Sequence, residues 1–132
     1  MAKMFKECTN LISVHLSNTI SYKLVNISSM FESCLNLKTI NFGNINTSLV
    51  KDMEKLFFRC SSLESIDLSN FDMSKVTSLL GFFNNCTNLL SINFGNINTS
   101  SVVNMRSLFN KCKNLAVIDV SKFDTSQFTT FQ

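Results

Sequence analysis

The sequence has no proline, no tryptophan, three glycines and one histidine. Charged residues are scarce at 16%, against 45% hydrophobic, which excludes a disordered chain because there is ample apolar surface to bury. Long hydrophobic runs are also missing. The longest, Leu79-Leu80-Gly81-Phe82-Phe83, is far short of the roughly 18 residues a membrane helix requires, so no membrane insertion is expected. Met1-Ala2-Lys3-Met4-Phe5-Lys6-Glu7 contains no apolar stretch of the kind a secretory signal uses. A net charge of +3, scattered along the chain, lacks the basic patch that nucleic acid selects, so no nucleic-acid partner is expected. The absence of proline is unusual for a chain rich in turn residues. It fits a fold in which backbone amides are needed for bonds to neighbouring segments. A length of 132 residues suits one domain.

What is present is a period. The five cysteines, Cys8, Cys34, Cys60, Cys86 and Cys112, are 26 residues apart. The same step carries Phe5, Phe31, Phe57, Phe83 and Phe109, and also Leu11, Leu37, Leu63, Leu89 and Leu115. Val14, Ile40, Ile66, Ile92 and Ile118 form a further column. A fixed period in the range of about 20–50 residues signals a solenoid, whose units bury their apolar faces only by stacking. The chain reads as a single solenoid with repeats at about 4–29, 30–55, 56–81, 82–107 and 108–132.

Each unit has two halves. Ile66-Asp67-Leu68 alternates apolar, polar, apolar, which predicts a short strand with one buried face. Ser69-Asn70-Phe71-Asp72 is turn chemistry. Val76, Leu79, Leu80, Phe83 and Cys86 then fall at helical spacings, with Ser74 ahead as an N-cap and Ser48, Ser100 and Ser126 equivalent to it. Helix axes pack about 8–10 Å apart and strands about 4.8 Å apart. The expectation is therefore an α/β solenoid, a curved horseshoe of five coils with short parallel strands on its concave face and short helices on its convex face.

Met30-Phe31-Glu32-Ser33-Cys34 with Leu37 and Ile40, and Ile66-Asp67-Leu68-Ser69-Asn70-Phe71-Asp72-Met73-Ser74-Lys75-Val76-Thr77, resemble the BspA-like leucine-rich-repeat family. The resemblance spans essentially the whole chain. It implies a leucine-rich-repeat fold and a cell-surface or secreted binding module linked to adhesion, and names no ligand. The first repeat departs from the pattern at Thr19-Ile20-Ser21-Tyr22-Lys23.

A longer period overlies the short one. Asn41–Ser48 recurs identically as Asn93–Ser100, 52 residues later. The intervening and following copies, Asp67–Ser74 and Asp119–Ser126, begin with Asp and carry Phe71 or Phe123 in the turn. Two origins are open: recent duplication of a two-repeat unit, or side chains that interlock between unlike coils.

Chemistry-bearing residues are few. Metal ligands want short spacings such as Cys-x-x-Cys, and no repeat holds two cysteines. The cysteines read as a column of buried thiols that pack as small hydrophobes. No catalytic residue, metal or cofactor is expected. His15 has no nucleophile and orienting partner placed beside it by spacing. The candidate ligand-binding residues are His15, Asn41, Asp67, Asn93 and Asp119, which share one outward column of the strands, flanked by Ser65 and Ser91. Ser17, Gly43, Ser69, Gly95 and Ser121 border that column on its other side. The face offers hydrogen bonds to a protein or glycan, and reads equally as a solvated surface. Asn18, Asn44, Asn70 and Asn96 are expected to satisfy backbone groups along the turn. Met4-Phe5 and Phe128–Gln132 read as two half-helices, which suggests a piece of a longer array or end-to-end self-association. The leading functional expectation is a non-catalytic binding module. Its rivals are an intracellular interaction scaffold and a structural spacer.

Overall fold

The structure, a computed structural model, describes residues 1–16 and 23–127. These form a solenoid of coils stacked one 26-residue step apart. Strands β1 (Ser13–His15), β2 (Thr39–Asn41), β3 (Ser65–Asp67) and β4 (Ser91–Asn93) follow in order. β1 pairs with β2 and β3 with β4, both parallel, with Val14 opposite Ile40 and Ile66 opposite Ile92. The expected alternation holds: the middle residue of each strand turns inward and its two neighbours are exposed.

The other half of each coil corrects the expectation. Among the described residues there is no helix. The segment is a chain of turns, closed by Phe82 N–H to Leu79 O (3.1 Å), Asn84 N–H to Gly81 O (3.1 Å) and Cys86 N–H to Phe83 O (3.0 Å). The amides between them donate to the next coil: Gly81 to Arg106 O (2.9 Å), Phe83 to Leu108 O (3.0 Å) and Asn85 to Asn110 O (2.8 Å). A helix commits its N–H groups to carbonyls four residues back and leaves none for a neighbour. Here alternate amides serve the turn and the adjoining coil. The third residue of the outer turns has positive φ, as a type II turn requires: Gly81 at 60° and Asn85 at 64°. The same two positions recur as Lys3 and Glu7, Ser29 and Ser33, Lys55 and Arg59, and Ser107 and Lys111.

Burial shows why the segment reads as helical. Val76, Leu79, Phe82, Phe83, Cys86 and Leu89 are buried, whereas Leu80 is only partly so. The inward residues advance in steps of three with one shift between Phe82 and Phe83, and at about 100° per residue Val76 to Cys86 would also share one helical face of about 120°, so the hydrogen bonds and not the burial exclude a helix. Ser48, Ser74, Ser100 and Ser126 accordingly cap no helix. Their backbone amides donate to Asn46, Asp72, Asn98 and Asp124, at 3.0, 2.9, 3.0 and 2.9 Å. The premise for curvature goes too, because backbone hydrogen bonds set the coil spacing on the wall opposite the strands. Of the expected half-helices, Met4-Phe5 lies in a turn closed by Lys6 N–H to Lys3 O (3.1 Å), and Phe128–Gln132 lies outside the described residues.

The core runs along the stack. Phe5, Phe31, Phe57, Phe83 and Phe109 form a column of near-parallel rings with centroids 5.4, 5.9, 5.3 and 6.0 Å apart. Beside it, four of the five thiols donate to the phenylalanine carbonyl of the coil before: Cys34 to Phe5 O (3.0 Å), Cys60 to Phe31 O (3.2 Å), Cys86 to Phe57 O (3.1 Å) and Cys112 to Phe83 O (3.1 Å). The cysteine column is thus a packing column, buried at Cys34, Cys60 and Cys86.

Candidate functional site

The outward column of the strands first makes turns. The Oδ1 atoms of Asn41, Asp67, Asn93 and Asp119 accept the N–H two residues on, from Gly43 (2.8 Å), Ser69 (2.8 Å), Gly95 (3.0 Å) and Ser121 (2.9 Å). This is the Asx-turn that lets a short polar side chain stand in for backbone. Hydrogen bonds from Ser69, and after them one from Asn93, hold the Asp67 carboxyl below the usual carboxylate range. Hydrogen bonds from Ser121 and then the charge of Lys122 do the same for Asp119. Two further corners repeat the device, with Asn46 and its equivalents and with Asn26, Asp52 and Asn104. The expected asparagine ladder is not among them. Asn44 and Asn70 make no such bond among the described residues, and Asn18 and Ser17 lie outside those residues.

The column is also broken into pairs. His15 stands opposite Asn41, Asp67 opposite Asn93, and Ser65 opposite Ser91. Asn93 Nδ2 donates to Asp67 Oδ1 at 3.2 Å. Bonds on either side extend both pairs: Lys38 N–H to Ile12 O and Leu16 N–H to Asn41 O in one, Leu90 N–H to Glu64 O and Leu68 N–H to Asn93 O in the other, all 2.8 Å. No equivalent bond joins β2 to β3, or β4 to residues 117–119, among the described residues. The opposite wall crosses those junctions unbroken, with Phe31 N–H to Leu56 O and Phe83 N–H to Leu108 O at 3.0 Å. The strand face therefore opens at alternate junctions.

Side chains account for the alternation. At the open junctions two rings meet edge to face, Phe42 with Phe71 at 4.8 Å and Phe94 with Phe123 at 5.1 Å. At the closed junction between β3 and β4 the equivalent residues are Leu68 and Ile97, which are smaller. There Gly95, at φ 59°, sits so near Ser69 that an added Cβ would lie 2.8 Å from the Ser69 Cα. Buried Thr47 and Thr99 tie the open junctions on the turn side, each accepting an N–H from the next coil (Asp72 and Asp124, both 2.8 Å). The two sequence types thus interlock at alternate junctions.

Each open junction holds a cleft of about 320 Å3. Asn41, Phe42, Gly43, Asp67 and Asn70 line the first. Asn93, Phe94, Gly95, Asn96, Asp119 and Lys122 line the second. Asn70 and Lys122 are equivalent positions 52 residues apart. The Lys122 ammonium donates to Asn96 Oδ1 at 2.7 Å and Gly95 O at 3.5 Å. Of the seven candidate residues, the clefts gather Asn41 with Asp67 and Asn93 with Asp119. His15, Ser65 and Ser91 line neither. Sequence reasoning missed Asn70, Asn96 and Lys122 as lining groups, and placed Gly43 and Gly95 only on the border of the column. The signal for them was the 52-residue alternation.

Among the described residues no three His, Cys, Asp or Glu side chains gather where a metal ion could be held. Burial pushes the thiols up, to about 11 at Cys34 and well above the usual range at Cys60. No helix of the described residues is long and apolar enough to cross a membrane.

The sequence matches a family described as "Mycoplasma protein of unknown function, DUF285" over residues 1–92 and 79–132. No curated protein matches it. Among solved structures it is similar to a leucine-rich-repeat protein of T. pallidum (TpLRR), at 19% identity and a TM-score of 0.40, over 86% of this chain and 69% of that one. The solenoid reading rests on the coils themselves and takes nothing from this likeness.

Proposed function

Because the chain belongs to the family described as "Mycoplasma protein of unknown function, DUF285", a description that names no activity, we propose a function from its surface: a non-catalytic interaction module. The strand face receives the ligand, a protein or a glycan. The observation that carries this reading is the pair of polar clefts where that face opens, each inside the range of about 300–1,000 Å3 common to ligand sites. Among the described residues the raised thiols do not stand beside His15, which is exposed on its strand. The BspA-like resemblance extends the proposal to a cell-surface or secreted adhesion module. An intracellular scaffold would use the same face. End-to-end association, part of the same proposal, would continue the backbone bonds between coils.

The test uses Ser65→Arg with Ser91→Arg, two exposed neighbours on the paired strands outside both clefts. The protein is screened against arrays of glycans and extracellular-matrix proteins. Binding that the double variant abolishes, with an unchanged melting temperature, supports the proposal. Binding that survives the two arginines places the contact elsewhere, and a blank screen favours the spacer. Protease shaving of intact cells separates the surface module from the intracellular scaffold.

A further inference from the structure

The two clefts are built alike and filled differently. Asn41–Ser48 and Asn93–Ser100 are identical in sequence, so the carbonyl of Gly43, which lines the first cleft, and the side-chain oxygen of Asn44, next to it in the chain, are the counterparts of the acceptors Gly95 O and Asn96 Oδ1 in the second. In the second cleft those acceptors hold the Lys122 ammonium, beside Asp119. In the first the equivalent residue is Asn70, whose short amide makes no such bond. Gly43 O and Asn44 Oδ1 accept no hydrogen bond from any described residue. Asp67, the equivalent of Asp119, has hydrogen bonds from Ser69 and Asn93 and, among the described residues, no cation beside it. The second cleft is therefore a portrait of an occupied first cleft.

From this pair we infer that the cleft between β2 and β3 binds the side-chain ammonium of a lysine carried by a polypeptide partner. The ammonium donates to Gly43 O and Asn44 Oδ1, as Lys122 does to their equivalents, and Asp67 supplies the opposing charge. Phe42 and Phe71 floor the cleft and offer apolar surface to the lysine stem, the part of that side chain that packs on apolar ground. The polypeptide assignment rests on reading the chain as an interaction module, whereas the ammonium preference rests on Lys122 alone. One exposed ion pair is weak, so a single lysine binds feebly and selectivity, not affinity, is the signature.

The experiment is an amide NMR titration of the whole chain with the peptide acetyl-Ser-Gly-Lys-Gly-Ser-amide, and with the same peptide carrying Nε-acetyl-lysine. The lysine peptide is expected to shift Gly43, Asn44, Asp67 and Asn70, leaving Gly95 and Asn96 unmoved. The acetylated peptide is expected to shift none of them. Asn70→Lys places a lysine in the first cleft and should abolish the response. Lys122→Asn empties the second cleft and should add Gly95 and Asn96 to the shifted set, raising the stoichiometry from one peptide to two. Equal shifts with both peptides, or a response that survives Asn70→Lys, overturn the inference. Free lysine amide distinguishes the sources: if it matches the peptide, a small amine and not a polypeptide is the ligand. Should a protein ligand from the array screen bind Asn70→Lys unchanged, the lysine site falls while the interaction module stands. Loss of ligand binding in neither Asn70→Lys nor Ser65→Arg with Ser91→Arg removes the strand-face reading itself.

Discussion

The thiol of Cys60 is buried, donates to the Phe31 carbonyl and is pushed well above its usual range by burial. A group held protonated by folding stabilises the folded state below its unfolded value of about 8.5, and that contribution is lost as pH rises through the folded value. The window is set by Cys34, whose folded value is about 11. Stability should therefore fall as pH climbs from about 8.5 to 11, by up to about 1.4 kcal/mol per pH unit for each fully buried thiol. Urea titrations at stepped pH check this, and Cys60→Ser should flatten the slope. Thiol reagents at neutral pH should label exposed Cys8 in the native protein and leave Cys34, Cys60 and Cys86 until it unfolds. Two glycines make a second comparison at this scale. Gly81 and Gly95 both hold positive φ, but a Cβ at Gly81 finds its nearest neighbours at 3.6 Å, while one at Gly95 meets the Ser69 Cα at 2.8 Å. Gly81→Ala should cost about 1 kcal/mol, the left-handed strain alone, and Gly95→Ala about 2–4 kcal/mol because the closed junction must also part. Equal melting temperatures for the two variants would refute the packing role assigned to Gly95.

The turn wall carries the lesson about reading elements from sequence. Strand centres were legible because Ile40, Ile66 and Ile92 alternate with polar neighbours and turn inward as expected. The turn wall was misread because steps of three and of four both mark helices when windows are short. Phe82 and Phe83 are both buried with Val76 and Cys86, and at about 100° per residue all four would fall on one helical face of about 120°, so burial alone does not tell the turns from a helix. The deciding force is invisible in a single repeat: amides such as Phe57 N–H find carbonyls in another coil, here Phe82 O at 3.0 Å. The far-ultraviolet circular dichroism of the protein should accordingly lack the paired minima of a helix. A strong helical spectrum would overturn the turn assignment. The left-handed positions give a gentler test. Lys55 and Arg59 hold φ of 54° and 60° without being glycine. Lys55→Gly removes the strain and adds chain entropy to the unfolded state, for a net gain of about 0.5–1 kcal/mol. Lys55→Val, β-branched in the same conformation, should lower stability instead.

For the whole molecule the unit of construction is two coils. Solenoid stability is approximately a sum over coils and nearest-neighbour junctions, so the kind of junction matters as much as the number of coils. The candidate site was half legible for this reason. Asn41, Asp67, Asn93 and Asp119 could be placed in one column from the 26-residue period. That they divide across clefts depends on Phe42 meeting Phe71 and on Gly95 meeting Ser69, contacts between unlike coils that a single repeat does not display. Deletions separate the two periods. Removing residues 56–107 sets the coil that carries Phe42 against the coil that carries Phe123, and Thr47 against Asp124, a junction of the kind already present. Removing residues 56–81 sets the Phe42 coil against the Phe94 coil, so Phe42 meets Ile97 in place of an aromatic partner, and the Gly95 contact with Ser69 is lost. The shorter deletion keeps more coils and should be the worse folded. Urea unfolding of the longer deletion should be one transition, whereas the shorter should uncouple into two as its mismatched junction yields first. A single transition for the 56–81 deletion, at a midpoint equal to or above that of the 56–107 deletion, would mean that one coil is the unit after all and that the clefts are incidental to the stack.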